Sequence, residues 1–309
     1  MSTIDNSTHP FVSVIIPVYN DAKRIGLCIE ALLRQSYPRE RFEIIVVDNG
    51  SKDSTHQVVS GYPAVTLLVE NEVQGSYAAR NKGIENASGE IIAFTDGDCV
   101  PQTKWLDSGV AALQLKQADL VGGRVKFPLN PGSSAAEYYD ALCNIRIKDN
   151  VETRGVAFTA NLLVHKSVID NLGGFPHHIQ SGGDVYFTSR ATSAGHKLVY
   201  GGDAIVEHPA RNLRALVRKS LRIGRGKMSI LDKAQRDKTM NRALRPGRFL
   251  TDLNPFNLRR RLIEDEFKVG PIKFLGIVGV AYLVLLVMCA GAVIGLCQRG
   301  RFSRDKNPE

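Results

Sequence analysis

The sequence predicts an α/β domain with a mostly parallel, doubly wound central sheet, followed by a basic helical segment and one apolar C-terminal helix. Three observations predict it. Apolar runs of strand length alternate with helix-like segments over the first hundred residues. Strands that are apolar at every position belong to parallel sheets covered on both faces. Lys and Arg crowd into residues 211–261, where 16 stand against 3 Asp and Glu. Residues 274–297 carry no charge, and about 20 apolar residues suffice to cross a bilayer. The expected organisation is a disordered N-terminus over 1–10, the α/β domain over 11–210, a basic amphipathic juxtamembrane segment over 211–271, a transmembrane helix over 272–297 and a polar tail over 298–309.

The elements follow in order. Residues 11–17 (FVSVIIP) form a first strand, and 21–36 place Ile25, Cys28, Ile29, Leu32 and Leu33 at helical spacing. Residues 42–47 (FEIIVV) form a second strand ending at Asp48, and 53–60 a short helix. A third strand spans 65–69, a helix 76–87 and a fourth strand 91–95. The second half is less regular: strands over 120–127, 197–200 and 204–207, helices over 134–147 and 184–194, and a loop leading into a strand over 155–164. In residues 211–225, Leu213, Leu216, Val217, Leu221 and Ile223 alternate with Arg, as in a basic helix lying on a membrane surface.

With 43% apolar and 23% charged residues, the chain has the composition of a folded protein and not of a disordered one. The net charge of +9 resides in 211–261, since the segment before it is net acidic. Such a stretch seeks a polyanion. No series of base-stacking aromatics accompanies it, and it directly precedes an apolar span, so an anionic membrane surface is expected and nucleic acid is not. The five cysteines show no metal-binding or disulfide spacing and read as reduced thiols. The polar first ten residues lack the apolar core of a secretory signal.

Ligands of open α/β sheets sit beyond the carboxyl ends of the strands, and there the polar residues gather. Pro17, Val18 and Tyr19 end the first strand, Asp48 the second, and Asp96-Gly97-Asp98 follow the fourth. Two carboxylates one residue apart repel each other unless a cation joins them, and hard divalent ions take one or two carboxylates plus phosphate oxygens. A solvated Asp-Gly turn is the alternative. Asp48 can accept hydrogen bonds from a base or ribose, or belong to the turn that starts the next helix. Arg80, one turn into a helix opened by small residues, suits an anionic or carbonyl-bearing ligand.

Taken in order, PVYN, VVDNGSKDST, GSYAARNKGI and FTDGDC resemble the family 2 glycosyltransferases of GT-A fold, over about 11–210. The resemblance implies transfer of a sugar from a UDP- or GDP-sugar, with inversion, in the presence of Mn2+ or Mg2+. It places Asp48 and Arg80 on the base, the backbone of Pro17, Val18 and Tyr19 in the nucleotide pocket, Asp96 by the ribose and Asp98 on the metal. It makes Asp184 the catalytic base, although Gly183 stands where relatives carry Glu, and His208 a second metal ligand. Asn161 and Gly183 fall on the acceptor side. Asp184 could alternatively be only a helix N-cap. The Gln-x-x-Arg-Trp motif and multiple spans of processive synthases are absent, which favours one sugar per encounter. An inactive nucleotide-sugar sensor is opposed by intact Asp48, Asp96, Asp98 and Asp184.

A nucleotide-sugar donor implies a cytoplasmic catalytic domain, and Arg259, Arg260, Arg261, Lys268 and Lys273 before a single C-terminal span agree with it. Anchoring raises the encounter rate with an acceptor confined to the membrane, so a lipid or lipid-linked glycan acceptor is expected.

Overall fold

The computed structural model describes residues 9–177, 179, 181–236 and 254–304, with side chains omitted over 226–236 and 297–304. The expectations for residues 1–8, for 237–253 of the juxtamembrane segment and for the end of the tail lie outside them. The chain divides into two compact units.

The first unit comprises residues 1–126, 147–178 and 183–209. Its strands are β1 (Val12–Val18), β2 (Phe42–Asp48), β3 (Thr66–Val69), β4 (Ile91–Thr95), β5 (Val100–Pro101), β6 (Leu120–Lys126), β7 (Asn161–His165) and β8 (Leu198–Glu207). They form one sheet in the order β3-β2-β1-β4-β7-β6-β8-β5. Strands β3, β2, β1 and β4 run parallel, with Val18 beside Asp48, Asp48 beside Val69 and Ile15 beside Phe94. Every residue of β1 and β4 is buried, as their unbroken apolar runs require. The chain leaves β1 toward β2 on one side and reaches β4 on the other, so the crevice at this topological switch lies over the ends of β1, β2 and β4.

The remainder of the sheet is mixed. β7 runs antiparallel to both β4 and β6, and β5 antiparallel to β8. The two short strands expected over 197–207 are one strand, β8, which meets β6 across a register irregularity at Gly123/Arg124.

Helices α1 (Ile25–Leu33), α2 (Thr55–Ser60), α3 (Ser76–Glu85), α4 (Trp105–Leu115), α6 (Ile147–Arg154), α7 (Lys166–Leu172) and α8 (Gly183–Ser193) belong to this unit. α3 lies tight against β1 because residue 83 is Gly: a Cβ there would meet Ile15 at 2.5 Å. Each fully buried Ile or Leu of this core contributes about 1.5–3 kcal/mol.

The second unit comprises residues 127–146, 179–182 and 210–309. It holds α5 (Ala135–Cys143), α9 (Leu213–Arg236), α10 (Pro255–Glu264) and α11 (Pro271–Arg304), so the single helix expected over 134–147 ends early at Cys143. α5 begins with a capping box formed by Ser134 and Glu137. Tyr138, Leu142, Leu216, Leu258, Leu262, Ile277 and Val284 form the core of this unit. α9 and α11 meet backbone to backbone: a Cβ on Gly224 would lie 2.3 Å from the Met288 carbonyl, and one on Gly291 2.6 Å from that of Leu221.

That contact corrects one expectation. Leu216 and Ile223 of α9 pack into the unit's own core and are not available to lipid, while Leu213 stays exposed. Arg214, Arg218, Arg222 and Arg225 form the exposed face instead. Buried Asp140 accepts from the Arg211 backbone N–H at 3.0 Å and pairs with its guanidinium at 3.3 Å. Pro271–Leu296 of α11 has a mean hydropathy of 2.7, has only a minority of its residues buried, and is long and apolar enough to cross a membrane.

Candidate active site

The site lies in the first unit, where sheet registry brings the polar strand ends together. Pro17 and Val18 are buried at the end of β1, and the Tyr19 side chain beyond them is open to solvent. Asp48 is buried; its carboxylate accepts the Ser51 N–H at 2.9 Å and stands 3.5 Å from His56 Nδ1. The turn and binding readings of Asp48 are therefore compatible, since one oxygen closes the turn. Asp53 accepts from the Thr55 N–H at 3.0 Å at the start of α2.

Asn49 is a residue that sequence reasoning missed. Its buried amide donates to the Glu70 and Val73 carbonyls and accepts from Gln74 Nε2 and the Gly75 N–H. It thereby fixes the loop that delivers α3. Nothing in the local pattern marks it, because all these partners lie more than twenty residues away.

Arg80 is buried on α3 and donates to Asp96 Oδ1 at 2.6 Å. Its Nε, also buried, makes no hydrogen bond. Asp98 pairs with Arg24 at 3.3 Å and lies 3.9 Å from His208 Nε2. Arg24, half-exposed at the start of α1, is a second cation that sequence reasoning passed over.

His208 is buried, and its Nδ1 lies 2.7 Å from the Pro209 carbonyl. Donation to that carbonyl leaves the Nε2 lone pair facing Asp98, the arrangement that metal-binding imidazoles adopt. Ligand atoms of Asp96, Asp98, Cys99 and His208 lie within 4.8 Å of one another. Burial pushes the Cys99 thiol well above its ordinary range, with Asp96 and Asp98 adding to the effect. The two carboxylates and the imidazole of this group are a donor set that suits a hard divalent cation. Glu207, next to His208, is held by Gln102 at 3.0 Å and lines a separate cavity of about 790 Å³ with Arg34 and Lys104.

Asp184 sits in the first turn of α8 and accepts from the Tyr77 hydroxyl at 3.2 Å and the Val185 N–H at 2.9 Å. Its pKa is raised, first by burial and also by Asp96; Arg80, Tyr77 and the Val185 N–H act in the opposite direction. Tyr77 and Arg80 on α3 thus connect Asp184 to Asp96 through direct contacts.

Asn161 is a correction. Its side chain is fully buried, accepts from Trp105 Nε1 at 2.9 Å, and donates to the Arg124 and Ala204 carbonyls at 2.9 and 2.8 Å. No exposed atom remains for an acceptor, and the residue ties α4 to the sheet. Asn161→Ala leaves these buried partners unsatisfied and is expected to destabilise the protein by about 2–4 kcal/mol, read by urea unfolding, with the KM values of the folded enzyme unchanged. Gly183 is buried against the Tyr77 ring.

Residues 13–160 match glycosyl transferase family 2. Glycosyltransferase AglE of Haloferax volcanii is 47% identical over 228 residues, which are 72% of this chain and 75% of that protein. Among solved structures, the mannosyltransferase PcManGT of Pyrobaculum calidifontis, in complex with GDP-Man and Mn2+, superposes with a TM-score of 0.64 at 21% identity, over 94% of this chain and 88% of that one. Staphylococcus aureus TarS 1-349 in complex with UDP-GlcNAc gives 0.53 at 20%, over 92% and 89%. The fold and site define an enzyme that handles nucleotide sugars on a GT-A domain. The chain belongs to glycosyl transferase family 2 and is a glycosyltransferase.

Proposed function

We propose that the enzyme transfers one sugar, with inversion, from a UDP- or GDP-sugar to a lipid or lipid-linked glycan acceptor at the cytoplasmic face of a membrane. The observation that carries the chemistry is the contact series Asp184–Tyr77–Arg80–Asp96, which links a carboxylate of raised pKa to the acidic strand ends. Asp48 and the β1 end receive the nucleoside. Asp96, Asp98 and His208 would hold Mn2+ or Mg2+, which supplies charge neutralisation on the departing diphosphate. Asp184 takes the proton of the acceptor hydroxyl as its oxygen bonds to the anomeric carbon. The bond from that carbon to the diphosphate breaks on the opposite face, and the nucleoside diphosphate leaves.

The membrane part rests on α11, whose exposed face includes Leu275, Tyr282, Leu286 and Val293. Four Arg on the exposed side of α9 would grip anionic headgroups, each adding about 1 kcal/mol.

The test incubates full-length enzyme with UDP-glucose, UDP-N-acetylglucosamine and GDP-mannose in Mn2+, Mg2+ or EDTA. Donor hydrolysis and transfer to a polyprenyl-phosphate-linked acceptor are followed in vesicles. Metal-dependent turnover of one donor, with a product of inverted anomeric configuration, is expected. Retention of configuration, or equal turnover in EDTA, would overturn the reading.

A further inference from the structure

The first turn of α8 lacks a side chain at position 183, and the space is filled from α3. A Cβ on Gly183 would lie 2.9 Å from the Tyr77 ring. Tyr77 is buried and stacks on Phe175, with ring centroids 5.9 Å apart. Phe175 is held from both sides of its peptide by Asn81, which donates to its carbonyl at 2.7 Å and accepts from its N–H at 2.8 Å. Phe175 also packs on Phe94 and Phe187. The ring therefore has little freedom, and its hydroxyl ends at Asp184 Oδ1. The Val185 N–H donates to the same oxygen. Among the described residues no hydrogen bond falls on Oδ2.

We propose that Tyr77 is a positioning residue for the base: its hydroxyl, seated in the space left by Gly183, pins Asp184 Oδ1 and presents Oδ2 to the acceptor hydroxyl. This rests on the reading of Asp184 as the base. A carboxylate on a freely rotating side chain offers either oxygen in many directions, whereas proton transfer requires one oxygen within hydrogen-bond reach of the acceptor. Burial, then the charge of Asp184, pushes the Tyr77 hydroxyl above its ordinary range, so it remains a donor throughout the working pH. The other charges facing Asp184 are Arg80, which favours the carboxylate, and Asp96, which opposes it. The Tyr77 bond also favours the carboxylate, and its removal raises the Asp184 pKa.

The experiment compares full-length wild type, Tyr77→Phe, Gly183→Ala and Asp184→Asn, using the most active donor of the three above with Mn2+. Tyr77→Phe keeps the ring on Phe175 and deletes one oxygen. Its kcat is expected to fall about tenfold, as for loss of a hydrogen bond to a charged group, with donor KM unchanged. The acid limb of its kcat–pH profile is expected to move to higher pH. Gly183→Ala, which pushes on the ring, is expected to move the limb in the same direction, and it carries the test if Tyr77→Phe does not fold. An unmoved limb and wild-type kcat in the folded variants, beside an inactive Asp184→Asn, would overturn the role of Tyr77 and leave the base in place. A raised donor KM with unchanged kcat would overturn it by placing Tyr77 in donor binding. An active Asp184→Asn would overturn both readings.

Discussion

Asp184→Asn is expected to lower kcat by about 10²–10⁴-fold, the range for loss of a positioned general base, while nucleotide affinity stays near wild type. Asn keeps the shape and can still accept from the Tyr77 hydroxyl and the Val185 N–H, which both contact Oδ1, but it cannot take a proton. Stopped assays with saturating donor and acceptor give kcat, and calorimetry with the nucleoside diphosphate and Mn2+ gives the affinity. Loss of both would show the residue to be structural.

The same group sets two pH dependences with opposite signs. Burial raises the Asp184 pKa, and a general base must be ionised to act, so the proposed role puts the acid limb of the wild-type rate above the ordinary carboxylate range. For stability, the folded protein holds the Asp184 proton more tightly than the unfolded chain does. Between the unfolded pKa, about 3.9, and the raised folded value, the native state binds more protons, so this residue's contribution falls as pH rises. Asp184→Asn removes that penalty, and its Tm at neutral pH is expected to equal or exceed that of wild type. A site that sacrifices stability for reactivity behaves this way.

The site was legible in the sequence where the chain itself supplies the geometry. Asp48 and Asp96 follow mostly apolar, buried strands, and parallel strands of that kind deliver their ends to one crevice. What was illegible depends on distant partners. The inner residues of β7, Leu162, Leu163 and Val164, are as apolar as those of β4, and apolar content does not encode strand direction. The family resemblance put Asn161 on the acceptor side, but its partners Trp105, Arg124 and Ala204, 37–56 residues away, bury it in the scaffold. The apolar residues of α9 show the same periodicity whether they face lipid or α11, and only the close approach at Gly224 and Gly291 decides it. Gly183 read as a departure from the family pattern; in the fold it is the complement of Tyr77.

Asp98→Ala is expected to abolish activation by Mn2+ and to lower kcat/KM by at least about 10²-fold, since charge stabilisation of a leaving group supplies several kcal/mol. His208→Ala should have a smaller effect, about 10–100-fold in metal affinity, because the two carboxylates persist. The two substitutions differ in an informative way. Without Asp98, Arg24 loses a partner 3.3 Å away and keeps Asp21 at 2.8 Å, so a cation remains beside the acidic strand end and residual turnover should be metal-independent. Without His208 both acids remain, and turnover should recover at high Mn2+. Titration of activity with Mn2+, together with electron paramagnetic resonance of bound Mn2+ in the absence of donor, separates the two outcomes. If Asp98→Ala instead bound and used Mn2+ as wild type does, the ion would have to sit elsewhere, and the acidic strand end would serve only the ribose and Arg80.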